Sequence, residues 1–525
     1  MAGNALSPLS PEARRQEARR RREKALELSL SHPLPEHCNN EEEAAFLQSH
    51  GFPVSSYSKG LPHNNRGEVD KTAYEKLRLA LKTGKREDFD QVPLGTPGGR
   101  KLVSPQAGLA YELQGPDAQA VTARPVPRFN SRQQTAEMLE LYWMALLRDV
   151  PFIEFERNTG VAEAAAELQK YRDDLGRVPA GVNLTPGTVF RGSTAGSMMG
   201  PFVSQFLLRQ IPYGSLRIEQ LQQTVLPACD YLTDFSDWLK IQNGAPGGAD
   251  ALDERRRYIR SMRDLANYVH RDPLYQAYLN AALILLAQQD RIADEGNPYK
   301  SSANQQGFVT FGEPHILSLV TEVATRALKA MWFQKWFVHR RLRPEEFGGR
   351  VDVHRRGLAK YPVSDELLKS KAHEGIFRRF GSSLLPQAFP EGCPLHPSYG
   401  SGHATVAGAC VTLLKAWFDG GLPYKGPVYV PNAEGNDLVL YTGPDAGKLT
   451  LGGELDKLAA NISTARNMAG VHWRSDYTES IRLGEQVALR LLQEQSILYN
   501  EPNVFTVVTF DGQTVKIRNG EITAG

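Results

Sequence analysis

Cysteine is scarce in this chain. The four present in 525 residues, Cys38, Cys229, Cys393 and Cys410, form no C-x-x-C pair, which argues against a zinc site or a disulfide framework. Reduced thiols are the simpler reading, with a Cys393–Cys410 bridge left open. Long apolar runs are missing too. The most apolar helical stretches, Ala281 to Ala287 and Ala404 to Leu414, fall far short of the roughly 20 residues a bilayer requires, so no membrane span is expected. Charge of either sign is not in excess. Lys and Arg number 61 against 59 Asp and Glu, a formal net charge of +2, too balanced for nucleic acid or an anionic membrane as the main partner. The arginines at 14, 15 and 19–22 are interleaved with Glu17 and Glu23 and read as a solvated helix or tail. No apolar stretch of the secretory kind accompanies them, which sets the expectation of a cytoplasmic protein.

What the chain does have is helical periodicity. Residues 1–125 read as an irregular region that wraps the main body or a partner subunit, because Gly/Pro-punctuated stretches such as Pro93 to Gly99 break it up. Residues 126–500 read as a helical catalytic domain. Gln133 to Arg148, Val161 to Leu175, Ala251 to Val269, Pro273 to Gln289 and the later part of Gly307 to Val338 all carry helix-like apolar spacing. Strand signals are few. Leu438 to Tyr441 is one, and residues 501–525 hold a hairpin signature around Asp511-Gly512. The expected fold class is therefore all-α, a helical-bundle core with minor β-hairpins.

Three segments carry chemistry. In the first, Lys335 and Arg343 stand eight residues apart before Pro344. That spacing predicts both on one helix face near its end, with the proline as the stop; alone, it also fits a solvated basic helix end. In the second, Gly400-Ser401-Gly402-His403 runs straight into an apolar helix. Free N–H groups at such a start, with a serine hydroxyl, make an anion cradle, and His403 at its mouth suits proton exchange. In the third, Arg466, His472 and Asp476 bracket a bend between two helices, from which an imidazole can reach inward. Gly443 to Lys448 lacks the spacing of a phosphate-binding loop, and Ser401 lacks the glycine two residues earlier that a nucleophile elbow needs.

Taken together, K-x(7)-R-P, S-G-H and R-x(5)-H-x(3)-D in this order resemble the vanadium haloperoxidase and acid phosphatase superfamily. The helical part from about 131, including Gly200-Pro-Phe-Val-Ser-Gln-Phe, looks similar to its algal and cyanobacterial bromoperoxidase branch. Two positions depart from the pattern: Gly400 stands for proline, and Ala465 for the serine before the arginine. The resemblance implies vanadate as cofactor. Lys335, Arg343, Ser401, Gly402 and Arg466 would hold its oxygens, His472 would bind the metal, and Asp476 would orient that imidazole. His403 and Lys335 would act in catalysis. The algal bromoperoxidases carry a histidine at the place of His396, where fungal chloroperoxidases carry phenylalanine, which implies bromide. Trp332 fits either the halide approach or the core. Hydrogen peroxide, halide and small organic acceptors are the implied partners, in a homo-oligomer. The rivals are a soluble phosphatase with His472 as nucleophile and a non-catalytic scaffold.

Overall fold

Helix takes up 47% of the chain and strand 9%, in agreement with the all-α expectation. The structure, a computed structural model, describes residues 6–525; the first five residues of the N-terminal region fall outside it. Seven helices build or brace the site. They are α1 (Arg132–Leu147), α2 (Met262–Arg271), α3 (Glu313–Phe333), α4 (Pro344–Arg355), α5 (Gly402–Trp417), α6 (Leu451–Met468) and α7 (Arg474–Gln495). Helix α5 is the centre. All of its residues but His403 are buried, and it packs on α7, α3 and α6. A helix apolar all round must lie inside a bundle. Two glycines let α5 and α7 touch backbone to backbone. A Cβ on Gly408 would sit 1.9 Å from the Ile481 carbonyl oxygen, and one on Gly484 would sit 2.0 Å from that of Thr405.

Several expectations need correction. Ala251 to Val269 is not one helix. Its first part is the strand Leu252–Arg257, paired antiparallel with Gln222–Val225, and only then does α2 begin. Cross-strand pairing here overrides local periodicity. The helix expected over Val161 to Leu175 ends at Leu168 and passes into a single 3-10 turn. The C-terminal hairpin is a three-stranded antiparallel sheet, Phe505–Val508, Thr514–Arg518 and Glu521–Ala524. All four cysteines are free.

Residues 6–125 are more ordered than Gly/Pro punctuation suggested. They hold four α-helices, and Val54, Tyr57, Leu61, Tyr74 and Leu77 belong to the same apolar core as α5 and α7. The helix Pro11–Ser31 has no buried residue. It lies on the C-terminal end of the chain, where Arg21 donates to the carbonyls of Ile497 and Tyr499 at 3.1 and 2.9 Å. No helix among the described residues is long and apolar enough to cross a membrane.

Candidate functional site

Lys335 and Arg343 reach the site from different elements. Helix α3 ends in a π-helical segment, Gln334–His339, and the chain reverses at Arg340, whose φ is +43°. Pro344 is not the stop expected from its position. It occupies the first turn of α4, with Arg343 immediately before it, because proline lacks the N–H that a helix start leaves unused. The turn is clamped from the N-terminal region. Tyr57 donates to the Arg340 carbonyl at 2.7 Å, and Leu342 to that of Ser55 at 3.1 Å. Glu346 accepts from the backbone of Ser58 and of Lys59, and buried Lys59 grips Glu345 at 2.8 and 2.9 Å.

Three fully or nearly buried cations face this region: Lys335, Arg343 and Arg466. Among the described residues none of them has a carboxylate partner. Lys335 Nζ donates to the carbonyls of Pro397 and Ser398 at 2.8 and 3.0 Å and lies 5.6 Å from the Trp332 ring. Arg343 donates to the carbonyls of His396 and Val471, to His396 Nδ1 and to His472 Nε2, all within 2.7–2.9 Å. Arg466 donates to the Val269 carbonyl at 2.8 Å, and its buried Nε has no partner. Burial, with the Arg343 charge beside it, pushes Lys335 well below its ordinary pKa and Arg466 down to about 10.

His472 sits in the link between α6 and α7. Its Nδ1–H donates to Asp476 Oδ2 at 2.8 Å, so Nε2 keeps the lone pair, the atom a metal would take. Asp476 is held in turn. Its Oδ2 accepts from the Trp473 amide and the Ser398 hydroxyl, and its Oδ1 from Arg341 at 2.9 Å. Burial and the Arg343, Lys335 and Arg466 charges push His472 far below the usual imidazole range, so the ring is neutral at Nε2. Ser401 caps α5 by accepting from Ala404 N at 3.3 Å, and Gly402 follows as the first helical residue. A Cβ on Gly402 would meet Leu328 and Trp332 at 3.3 and 3.4 Å. Gly400, in the departure from the motif, donates to Met331 Sδ at 3.0 Å.

His403 Nε2 pairs with Asp272 Oδ1 at 3.0 Å, which leaves Nδ1 as the basic nitrogen. Burial pushes His403 below its ordinary value, with Asp272 pulling the other way. His396 is tilted on Trp332, ring centroids 4.9 Å apart. Because arginine only donates, His396 Nδ1 accepts and its Nε2 carries the proton. Trp332 is partly buried, packed against the main core, with its Nε1 donating to the Val103 carbonyl. Three contributors escaped sequence reading. Asp272, Arg341 and Ser398 lie outside the residues singled out from the sequence, and each acts through a partner distant along the chain. Only the Asp-Pro step hinted at a fixed position.

Taking buried cations out of water is strongly unfavourable unless an opposite charge meets them. The donor set, with the unpartnered Arg466 Nε, fits a small oxyanion, and the unprotonated His472 Nε2, which accepts from Arg343, is the imidazole nitrogen that would bind its central atom. Vanadate matches that chemistry. Comparison with known proteins agrees. Residues 372–500 match the family description VCPO second helical-bundle domain. The chain is 38% identical to a vanadium-dependent bromoperoxidase of Corallina officinalis over 94% of its length and 96% of that protein's. It is 36% identical to one from Ascophyllum nodosum over 88% and 86%. The solved homohexameric second vanadate-dependent bromoperoxidase of Ascophyllum nodosum superposes with a TM-score of 0.93 at 28% identity, covering 100% of this chain and 94% of that one. The chain belongs to the vanadium-dependent bromoperoxidase family.

Proposed function

We propose that this protein is a vanadate-dependent haloperoxidase: it uses hydrogen peroxide to oxidise halide, bromide above all, to hypohalous acid, which then halogenates organic acceptors. The observation that carries the reading is the group of three buried cations without carboxylate partners beside the unprotonated His472 Nε2, which accepts from Arg343. When bound, vanadate supplies a Lewis acid that activates peroxide without changing its own oxidation state. In this reading Lys335, Arg343, Arg466, the Ser401 hydroxyl and the Gly402 N–H would hold the oxyanion, and His472 Nε2 would be the protein ligand to vanadium. His403 Nδ1 takes the proton from incoming peroxide, with the Nε2–H fixed on Asp272. Lys335 would place its positive charge beside the bound oxyanion and the peroxide that reacts there. His396 and Trp332 line the halide approach. The protein assembles as a homo-oligomer, as its homohexameric relative does.

A soluble phosphatase would use much the same cradle. The curated relatives, all named bromoperoxidases, favour the haloperoxidase. The test adds orthovanadate to apoprotein and follows bromination of a phenolic dye with peroxide and bromide, beside p-nitrophenyl phosphate hydrolysis. Vanadate-dependent bromination suppressed by phosphate is expected; hydrolysis without bromination overturns the reading. Asp476→Asn should weaken vanadate binding by about 10–100-fold, the usual effect of losing a carboxylate behind a ligating histidine. Titration of apoprotein with vanadate measures it, and unchanged affinity would remove Asp476 from the account.

A further inference from the structure

The last turn of α2 and the residue after it touch the site at two places. The Val269 carbonyl takes the Arg466 guanidinium, and Asp272 takes His403. Between them lies His270, which faces a different partner. Its ring stacks on Phe389 with centroids 3.8 Å apart and planes 11° from parallel. The guanidinium carbon of Arg466 lies over the same Phe389 ring at 5.4 Å. His270 Nε2–H donates to Glu391 Oε1 at 2.6 Å. Burial would raise Glu391, yet that hydrogen bond and the His270 charge hold it below the usual carboxylate range. The Glu391 backbone is tied as well, its carbonyl accepting from Lys59 and Arg100 at 3.0 Å each. Phe389 belongs to a small apolar cluster, with Ala266, Ala388, Cys393, Ala469 and Val471, separate from the main core. Val471 directly precedes the vanadium-binding candidate His472.

Arg466 needs such support. A long arginine side chain has many rotamers, and this one has a single hydrogen bond to the protein. An aromatic face beneath a guanidinium restrains it by cation–π attraction without using the N–H groups that an oxyanion needs. Phe389 can serve as that face only if its own plane is fixed, and the stacked imidazole, locked by Glu391, fixes it.

We propose that His270 is a positioning residue for oxyanion binding: anchored on Glu391 and stacked on Phe389, it holds the aromatic face that keeps Arg466 aimed into the cradle. The proposal rests on the reading of Arg466 as an oxyanion holder. It is tested by titrating apoprotein with orthovanadate, and separately with inorganic phosphate, in wild type and in His270→Ala, His270→Phe and Phe389→Leu. Thermal melting of each apoprotein is measured alongside. Vanadate and phosphate binding should each weaken by about tenfold in His270→Ala and Phe389→Leu, on the scale of one desolvated cation–π contact. His270→Phe keeps a stacked ring without the Glu391 hydrogen bond and should fall between wild type and His270→Ala. Excess vanadate should recover most of the lost bromination, a rescue that disordered protein would not give. Wild-type affinity in a folded His270→Ala overturns the proposal; should that variant not fold, wild-type affinity in Phe389→Leu does the same. If wild type itself binds neither anion, the cradle reading falls and this proposal falls with it.

Discussion

Asp272 and His403 meet across 131 positions of sequence through one hydrogen bond, and that bond decides which imidazole nitrogen does the chemistry. A carboxylate accepting from Nε2–H favours the charged imidazolium, so it raises the His403 pKa against the lowering effect of burial. Asp272→Asn removes the negative charge while keeping an oxygen acceptor. The His403 pKa should then fall, and the limb of the bromination pH–rate profile that it governs should move to more acidic pH. Vanadate affinity should change far less than turnover. A profile superimposable on wild type would show that Asp272 does not act through His403. The same pair shows what sequence hides at this scale. Each motif was legible because its reactive residues are neighbours along the chain, as in Ser401-Gly402-His403. Asp272 was not, since a lone aspartate before proline looks like an ordinary helix end until the opposite helix is seen.

Among elements, the contact of α5 with α7 is the tightest. Gly484→Ala would drive a methyl to 2.0 Å from the Thr405 carbonyl, on the helix that carries His403 at its start. Overpacking of this kind typically costs about 1–3 kcal/mol, so a lower melting temperature and weaker vanadate binding are expected together; a melting curve matching wild type would contradict the close approach. One residue further along α7, Glu485 accepts from the Phe510 amide at 2.8 Å. Burial pushes it up to about 7, against Lys415 and that amide. The folded chain thus binds this proton more tightly than the unfolded chain does. The resulting stability is present at acidic pH and is lost as pH rises through about 7. Glu485→Gln keeps the acceptor and removes the titration. Its melting temperature should fall less than that of wild type between about pH 5 and pH 8, by up to roughly 3 kcal/mol of stability at 1.4 kcal/mol per unit. Parallel pH dependences would refute it. The element pattern also marks where periodicity misleads. The run Leu252–Arg257 is charged enough to suit a helix surface, yet it pairs as a strand with a segment thirty-odd positions earlier. The π-helical end of α3 likewise has no signature in apolar spacing, and so Lys335 and Arg343 looked like one helix face.

At the scale of the whole molecule, the helical class and the order of the motifs could be read from sequence, whereas the N-terminal region could be read only as wrapping the main body or a partner, without its particular contacts. Residues 55–59 bear no motif because their task is to bond backbone and carboxylates around Arg340 to Glu346. Lys59→Met tests that task. It leaves Glu345 buried with its ammonium partner gone, which typically costs about 3–5 kcal/mol. Reduced thermal stability is expected, with vanadate affinity falling as the turn bearing Arg343 loosens; stability within experimental error of wild type would show the ion pair to be dispensable.

That tether has a practical side. A shortened version that starts where the helical periodicity becomes obvious, near residue 131, would discard the strap that fastens the cation-bearing turn. Such a fragment should retain every residue of the three motifs and yet grip its anion poorly. Intact motifs in a truncated relative are therefore a weak guide to whether it works.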